Sequence, residues 1–371
     1  MSRRVLVTGG AGFVGTHLVE HLVGLGDDVV VLDSLEAQVH LGNEPRFPDG
    51  VSFIHGDVGD PEAANRALEG VEAVVHLAAA VGVGQSMYEI ERYARVNTHA
   101  TASFLERLVT RSPRPHRLVV ASSMSIYGEG EYRCPEHGSV APGLRSEEQL
   151  QARHWELHCP TCQAELTPLP TSESKPLIPT SVYAITKRDH EELCQVVGHA
   201  YGVATVALRF FNIYGPGQAL SNPYTGVAAI FSSRLLNDRA PLVFEDGLQS
   251  RDFVHVSDIV QAIVSALESD DAVGHAINLG TGRPVSVGKV AELIGVGLDK
   301  HIEPEYPGTF RMGDIRHCFA DPTLAEKLLG FKANVELEAG IGDLMEWVRA
   351  QNAVDSVDEA AAELVARELV R

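Results

Sequence analysis

The chain of 371 residues carries 30 lysines and arginines against 50 aspartates and glutamates, a formal net charge of -20 at pH 7. That balance is opposite in sign to a phosphate-neutralising surface, so nucleic acid is not expected as a partner. Hydrophobic residues make up 44%, enough to core one large or two ordinary domains. No apolar stretch approaches the ~20 residues of a membrane span, so no membrane partner is expected either.

The opening "MSRRVLVTGG" runs straight into a glycine loop, without the apolar leader of a secreted protein. Five cysteines is an odd number, and a reducing cytoplasmic setting is expected. Paired cysteines there signal metal more often than disulfide.

In chain order, Val5 to Val7 form an apolar run suited to a strand buried on both faces. Gly9, Gly12 and Gly15 follow in G-x-x-G-x-x-G spacing, with Phe13 and Val14 between the last two. Leu18, Val19, Leu22 and Val23 recur at helical period, and Val29 to Leu32 make the next strand. A strand, glycine turn and helix start in that order allow a tight turn and close approach to a pyrophosphate. Asp33 ends the second strand, where a carboxylate accepts from ribose hydroxyls and repels a 2′-phosphate. The cofactor expected is therefore NAD. "HGDVGD" places Asp57 and Val58 at the end of a third strand, beside the adenine. "AVVHLAAA" gives a fourth strand whose Ala78, Ala79 and Ala80 let the cofactor approach the backbone.

A serine-rich strand end, "SSMSIYG", precedes "YRCPEHGSV" and "LHCPTCQAE". Cys134, His137, Cys159 and Cys162 form a Cys₃His set of the kind that binds structural zinc with four ligands and no open position. His154 and His158 are rival nitrogens for the fourth place. The expected role is to fold a segment, about 131–165, too small and polar to build its own core. "YAITK" follows, with Tyr183 and Lys187 four apart and so on one helix face. A lysine beside a tyrosine favours the phenolate, which would lower the tyrosine pKa and let it act as a base, while a nearby serine hydrogen-bonds the same substrate oxygen.

With these motifs the sequence resembles the extended short-chain dehydrogenase/reductase family, in particular its nucleotide-sugar epimerases and dehydratases, over roughly residues 4 to 347. The resemblance implies an α/β Rossmann-type doubly wound parallel sheet within residues 1–210, interrupted by the zinc-binding insert. It also implies a smaller substrate domain over 211–349. It makes Ser123 the catalytic serine, Tyr183 the base, Lys187 its partner, and Asn97 the asparagine of the neighbouring helix beside the cofactor. It places Ser125 and Asn212 at the substrate, Arg251 at its pyrophosphate, and Arg311 and Asp314 at its nucleotide end. Met124 and Ser125 stand where the family's 4,6-dehydratases carry Asp-Glu, which points away from dehydration and towards 4-epimerisation of a nucleotide-diphosphate sugar. A 4-ketoreductase or dehydrogenase, and a non-catalytic dinucleotide-binding protein, remain open alternatives at this point. Apolar stripes in "TASFLERLV" and "HEELCQVVGHAY" suit the helix-paired homodimer usual in the family. The tail 350–371 has helix formers and an apolar stripe (Val357, Ala361, Leu364, Val365, Leu369), expected on the surface or against another subunit.

Overall fold

The computed structural model describes residues 2–371. Seven parallel strands form its main sheet: β1 (Arg4–Thr8), β2 (Asp28–Asp33), β3 (Ser52–His55), β4 (Ala73–His76), β5 (Arg117–Ser123), β6 (Ala204–Phe210) and β7 (Ala276–Leu279). Their order, β7-β6-β5-β4-β1-β2-β3, reverses between β1 and β4. This is the doubly wound Rossmann arrangement, whose ligand crevice lies outside the strand ends at that reversal.

Both faces of the sheet are covered, and alternate residues go to opposite sides. Val5, Val7, Val29 and Val31 pack with Leu18 and Leu22 of helix α1 (Phe13–Gly24). Leu6, Val30 and Leu32 pack on the other side with Phe104, Leu105 and Leu108. Each such fully buried side chain is worth ~1.5–3 kcal/mol, which explains why these runs are uninterrupted rather than alternating.

The division of the chain at residue 210 needs correction. The edge strand β7 and the helix Val256–Glu268, whose Ile259, Val260 and Ile263 pack under the sheet, both come from beyond that residue. The chain leaves the sheet after β6, builds the smaller lobe in several passes, and returns. That lobe has its own core, with Phe231, Ile294, Leu344 and Met345 at the centre.

The insert is a three-stranded antiparallel sheet (Glu131–Cys134, Gly138–Val140, Thr167–Leu169) and a short helix, Glu147–Gln151. It is not coreless. Tyr132, Leu157 and Leu166 are buried with Cys134 and Cys159. Its pairing also extends to Leu169, past the expected boundary at 165. The segment expected as a tail forms helix α3 (Val357–Ala366), which lies over the ligand crevice rather than apart from it.

Candidate active site

A cavity of about 910 Å³ runs along the C-terminal ends of the strands. Its floor begins at the glycine loop. Gly9 has φ +70°, and a Cβ there would meet the Ala78 nitrogen at 2.8 Å. A Cβ on Gly15 would stand 2.4 Å from the Gly9 carbonyl oxygen, so only glycine lets α1 start against the loop. The first turn of α1 has no side-chain cap and no acidic residue, leaving its amides to face the cavity. Asp33 accepts from the Ala11 amide (3.0 Å) and the Leu35 amide (2.9 Å), which fixes its carboxylate at the rim. Asp57 accepts from the Gly59 amide at 2.7 Å, and Val58, Ala78, Ala79 and Ala80 continue the wall. Glycine crowding, free helix amides and a fixed carboxylate suit a dinucleotide of the NAD type.

Asn97 departs from expectation. It is fully buried and off the cavity wall. Its amide accepts from the Ala80 nitrogen (2.7 Å) and donates to the Ala80 carbonyl (3.1 Å) and Thr186 Oγ1 (3.0 Å). It positions the Ala80 loop against the helix bearing Tyr183.

Ser123, Tyr183 and Lys187 all line the cavity, and a hydrogen bond joins Tyr183 to Ser123. Ser123 Oγ lies 2.9 Å from Ser125 Oγ and accepts from the Ser125 amide at 3.2 Å, so Ser125 orients the serine. Helix α2 (Val182–Tyr201), capped by Ser181 on the Ala184 amide, carries Tyr183 and Lys187. The expected lowering of the Tyr183 pKa is not found: burial raises it, and only the hydrogen bond with Ser123 works the other way. It is Lys187 that is drawn down, to about 8, because burial disfavours its ammonium. Lys187 Nζ donates to the Ala121 carbonyl and lies 3.2 Å from His190 Nδ1.

At the other end, Asn212 lines the cavity, and its buried Oδ1 has no hydrogen-bond partner among the described residues. Arg251 lines the cavity and donates to the carbonyls of Ser250 (2.8 Å), Ile315 (2.7 Å) and Arg316 (3.0 Å). Arg311 packs over the Phe244 ring at 4.8 Å and gives its Nε to Asp314 at 2.9 Å. The cavity's lining carboxylates are Asp33, Glu36, Asp57 and Asp314. None sits beside Ser123, where Met124 and Ser125 stand, so no acid/base pair for expelling water is present there.

In the insert, the ligand atoms of Cys134, His137, Cys159 and Cys162 all lie within 4.8 Å of one another. Cys134 Sγ is 3.4 Å from His137 Nδ1 and 3.5 Å from Cys162 Sγ, and Cys159 Sγ is 3.5 Å from the same nitrogen. Four ligands at ~2.3 Å around one tetrahedral ion stand about 3.8 Å apart, so the set is nearly preformed. His154 and His158 are not in the group.

A buried ionic cluster, for which the sequence carries no motif, links the insert and the smaller lobe. Arg145 binds Glu245 through both nitrogens at 2.8 and 2.9 Å. Arg316 reaches Glu156, Glu245 and Asp246. Glu129 accepts from the Arg316 amide and the Tyr132 hydroxyl. The one available signal was Arg316 itself, five residues from Arg311.

The model of the NAD dependent epimerase/dehydratase family matches residues 5–146 and 160–280, leaving out the centre of the insert. A dTDP-L-rhamnose 4-epimerase of Burkholderia thailandensis is 34% identical over 93% of this chain and 95% of its own. The Thermus thermophilus UDP-glucose 4-epimerase in complex with NAD is 30% identical, with a TM-score of 0.74, covering 94% of this chain and 100% of that one. The Thermotoga maritima UDP-glucose 4-epimerase with UDP-glucose is 28% identical, with a TM-score of 0.76, covering 93% and 98%.

Proposed function

The chain belongs to the NAD-dependent epimerase/dehydratase family, and on that premise we propose that it is a nucleotide-sugar 4-epimerase. The observation that carries the reading is that Ser123, Tyr183 and Lys187 line one cavity, with Met124 and Ser125 rather than carboxylates following the serine. Gly9, Gly12, Gly15, Asp33 and Asp57 hold the dinucleotide. NAD bound there supplies a hydride acceptor and donor for the sugar carbon. Tyr183, as its phenolate, takes the proton of the C4 hydroxyl to become the phenol and returns it after the ketone has presented its other face. Ser123 hydrogen-bonds the same oxygen, with its rotamer set by Ser125. Lys187, four residues along the same helix, is the cation that would favour the phenolate; burial draws its own pKa down to about 8, which leaves it protonated at pH 7. Asn212 meets the diphosphate with its amide and Arg251 with the N–H groups its backbone carbonyls leave over, while Arg311, placed with Asp314 at the nucleotide end, turns its free guanidinium fork to the same diphosphate.

The Cys₃His set is assigned a structural zinc that ties the two halves of the insert together. A homodimer through α2 is also proposed. Its Ile185 and Val196 are 49% and 68% exposed, an apolar stripe left for a partner helix; a monomer by light scattering at micromolar concentration would remove this element.

The test of activity is incubation with a panel of UDP- and dTDP-hexoses, with product stereochemistry read by NMR. Inversion at C4 without added cofactor is expected. Turnover only with stoichiometric reduction of added NAD, leaving a 4-ketone, would make the protein a dehydrogenase instead.

A further inference from the structure

Arg311 has Asp314 as its ionic partner through Nε, and among the described residues no protein acceptor takes its Nη1 or Nη2. A free guanidinium fork is useful only if the loop beneath it is held. On one side the insert holds that loop: Arg145 donates to the Asp314 carbonyl at 3.2 Å, and Trp155 packs edge-on to Phe310 at 6.4 Å.

On the other side is the segment 356–371. After α3 it forms an isolated antiparallel bridge with the segment that carries the arginine. The Phe310 amide donates to the Arg371 carbonyl (2.9 Å), Arg371 returns the bond (3.1 Å), and the Met312 amide donates to Leu369 (3.0 Å). This places Val370 opposite Arg311. The same helix faces the cavity with Val357, Ala360, Ala361 and Leu364. A Cβ built on Gly84 would meet both Leu364 Cδ atoms at 3.5 Å and Arg311 Nη1 at 3.9 Å, so these three converge at one point of the wall. Both ends of the helix are fastened. Asp358 binds Arg234 at 2.6 Å in the smaller lobe, and Arg367 lies 4.5 Å over the Tyr88 ring on the sheet side. Arg371 also pairs with Glu147 of the insert, which closes a ring around the Arg311 loop.

We propose that the segment 356–371 is a working part of the nucleotide-sugar site: Leu364 forms one wall, and the pairing of Leu369–Arg371 with Phe310–Met312 positions Arg311 for the substrate's diphosphate. The proposal rests on the nucleotide-sugar reading of the cavity. Val370 and Arg371 are positioning residues, acting through Arg311.

The test uses UDP and dTDP as probes, titrated by calorimetry into the NAD-loaded protein, with NAD content as the folding control. A variant lacking residues 356–371, and separately Arg371→Pro and Leu364→Glu, should weaken the diphosphate about tenfold or more with NAD content unchanged. In the Arg311→Ala background, Arg371→Pro should cost nothing further, because a residue acting through Arg311 has nothing left to act on. If the deletion does not fold, the two point variants carry the test. Wild-type affinity in the folded variants, or an equal loss with and without Arg311, overturns the proposal and leaves the epimerase reading standing. A wild-type protein that binds neither UDP nor dTDP overturns both.

Discussion

Replacing Gly15 by alanine tests the cofactor cradle directly. The added methyl would stand 2.4 Å from the Gly9 oxygen, 2.6 Å from Gly10 Cα and 2.8 Å from the Gly10 carbonyl carbon. Carbon contacts are comfortable at ~3.5–4.0 Å, so helix and loop must separate by about 1 Å. All three clashing atoms are backbone, and no rotamer change relieves them. Overpacking of this kind costs ~1–3 kcal/mol. The displaced atoms are those that approach the pyrophosphate, so dinucleotide affinity should fall about 5- to 150-fold, at tenfold per ~1.4 kcal/mol. Gly24, the last residue of the same helix, is the control: a Cβ there meets nothing within 4 Å. Gly24→Ala should stabilise by ~0.5–1 kcal/mol through the unfolded state and leave the cofactor alone. The assays are NAD per chain after purification and the urea midpoint. A Gly15→Ala protein with wild-type NAD content and midpoint would refute the cradle argument.

Tyr183→Phe should keep NAD and lose roughly two to four orders of magnitude in turnover, as expected for an absent acid/base group; near-normal rates would take Tyr183 out of the mechanism. Lys187 titrates near 8 when folded and near its ordinary ~10.4 unfolded. Between those values the unfolded state binds the extra proton, so this group's contribution to stability rises with pH across about 8 to 10.4. Urea unfolding at pH 7.5 and 9.5 should show wild type gaining on Lys187→Met; parallel curves would contradict the burial argument. Metal analysis should find about one zinc per chain, lost in His137→Ala and Cys159→Ser but retained in His154→Ala and His158→Ala. Zinc-free protein with full activity and an ordered insert would sink the structural-zinc assignment.

The sheet was legible because its strands are unbroken apolar runs and its glycines sit at a strand-to-helix junction. Ser123, Tyr183 and Lys187 were legible by motif, and the Cys₃His set by spacing, down to the preference for His137. Three features were hidden. Strand β7 is four residues long and joins the sheet after a long crossover, 211–275, that holds only part of the smaller lobe, so local pattern could not place it. The apolar stripe of α3 was visible, but a stripe does not say what it faces, and it faces the cavity. Glu129, Arg145, Glu245 and Arg316 read as ordinary charges, yet they are buried together, because their partners lie as far as 187 residues away. Asn97 was the reverse case, a matched motif residue whose amide is already satisfied by Ala80 and Thr186.

Return of the sugar's own hydride to C4 is the step that separates epimerisation from net redox chemistry. A nucleotide hexose that turns over in the panel, labelled with deuterium at C4, should give an epimer that keeps the label at C4, with no cofactor added and none washed into water. Loss of the deuterium to solvent or to added cofactor, or an epimer inverted at another carbon, would contradict the assignment.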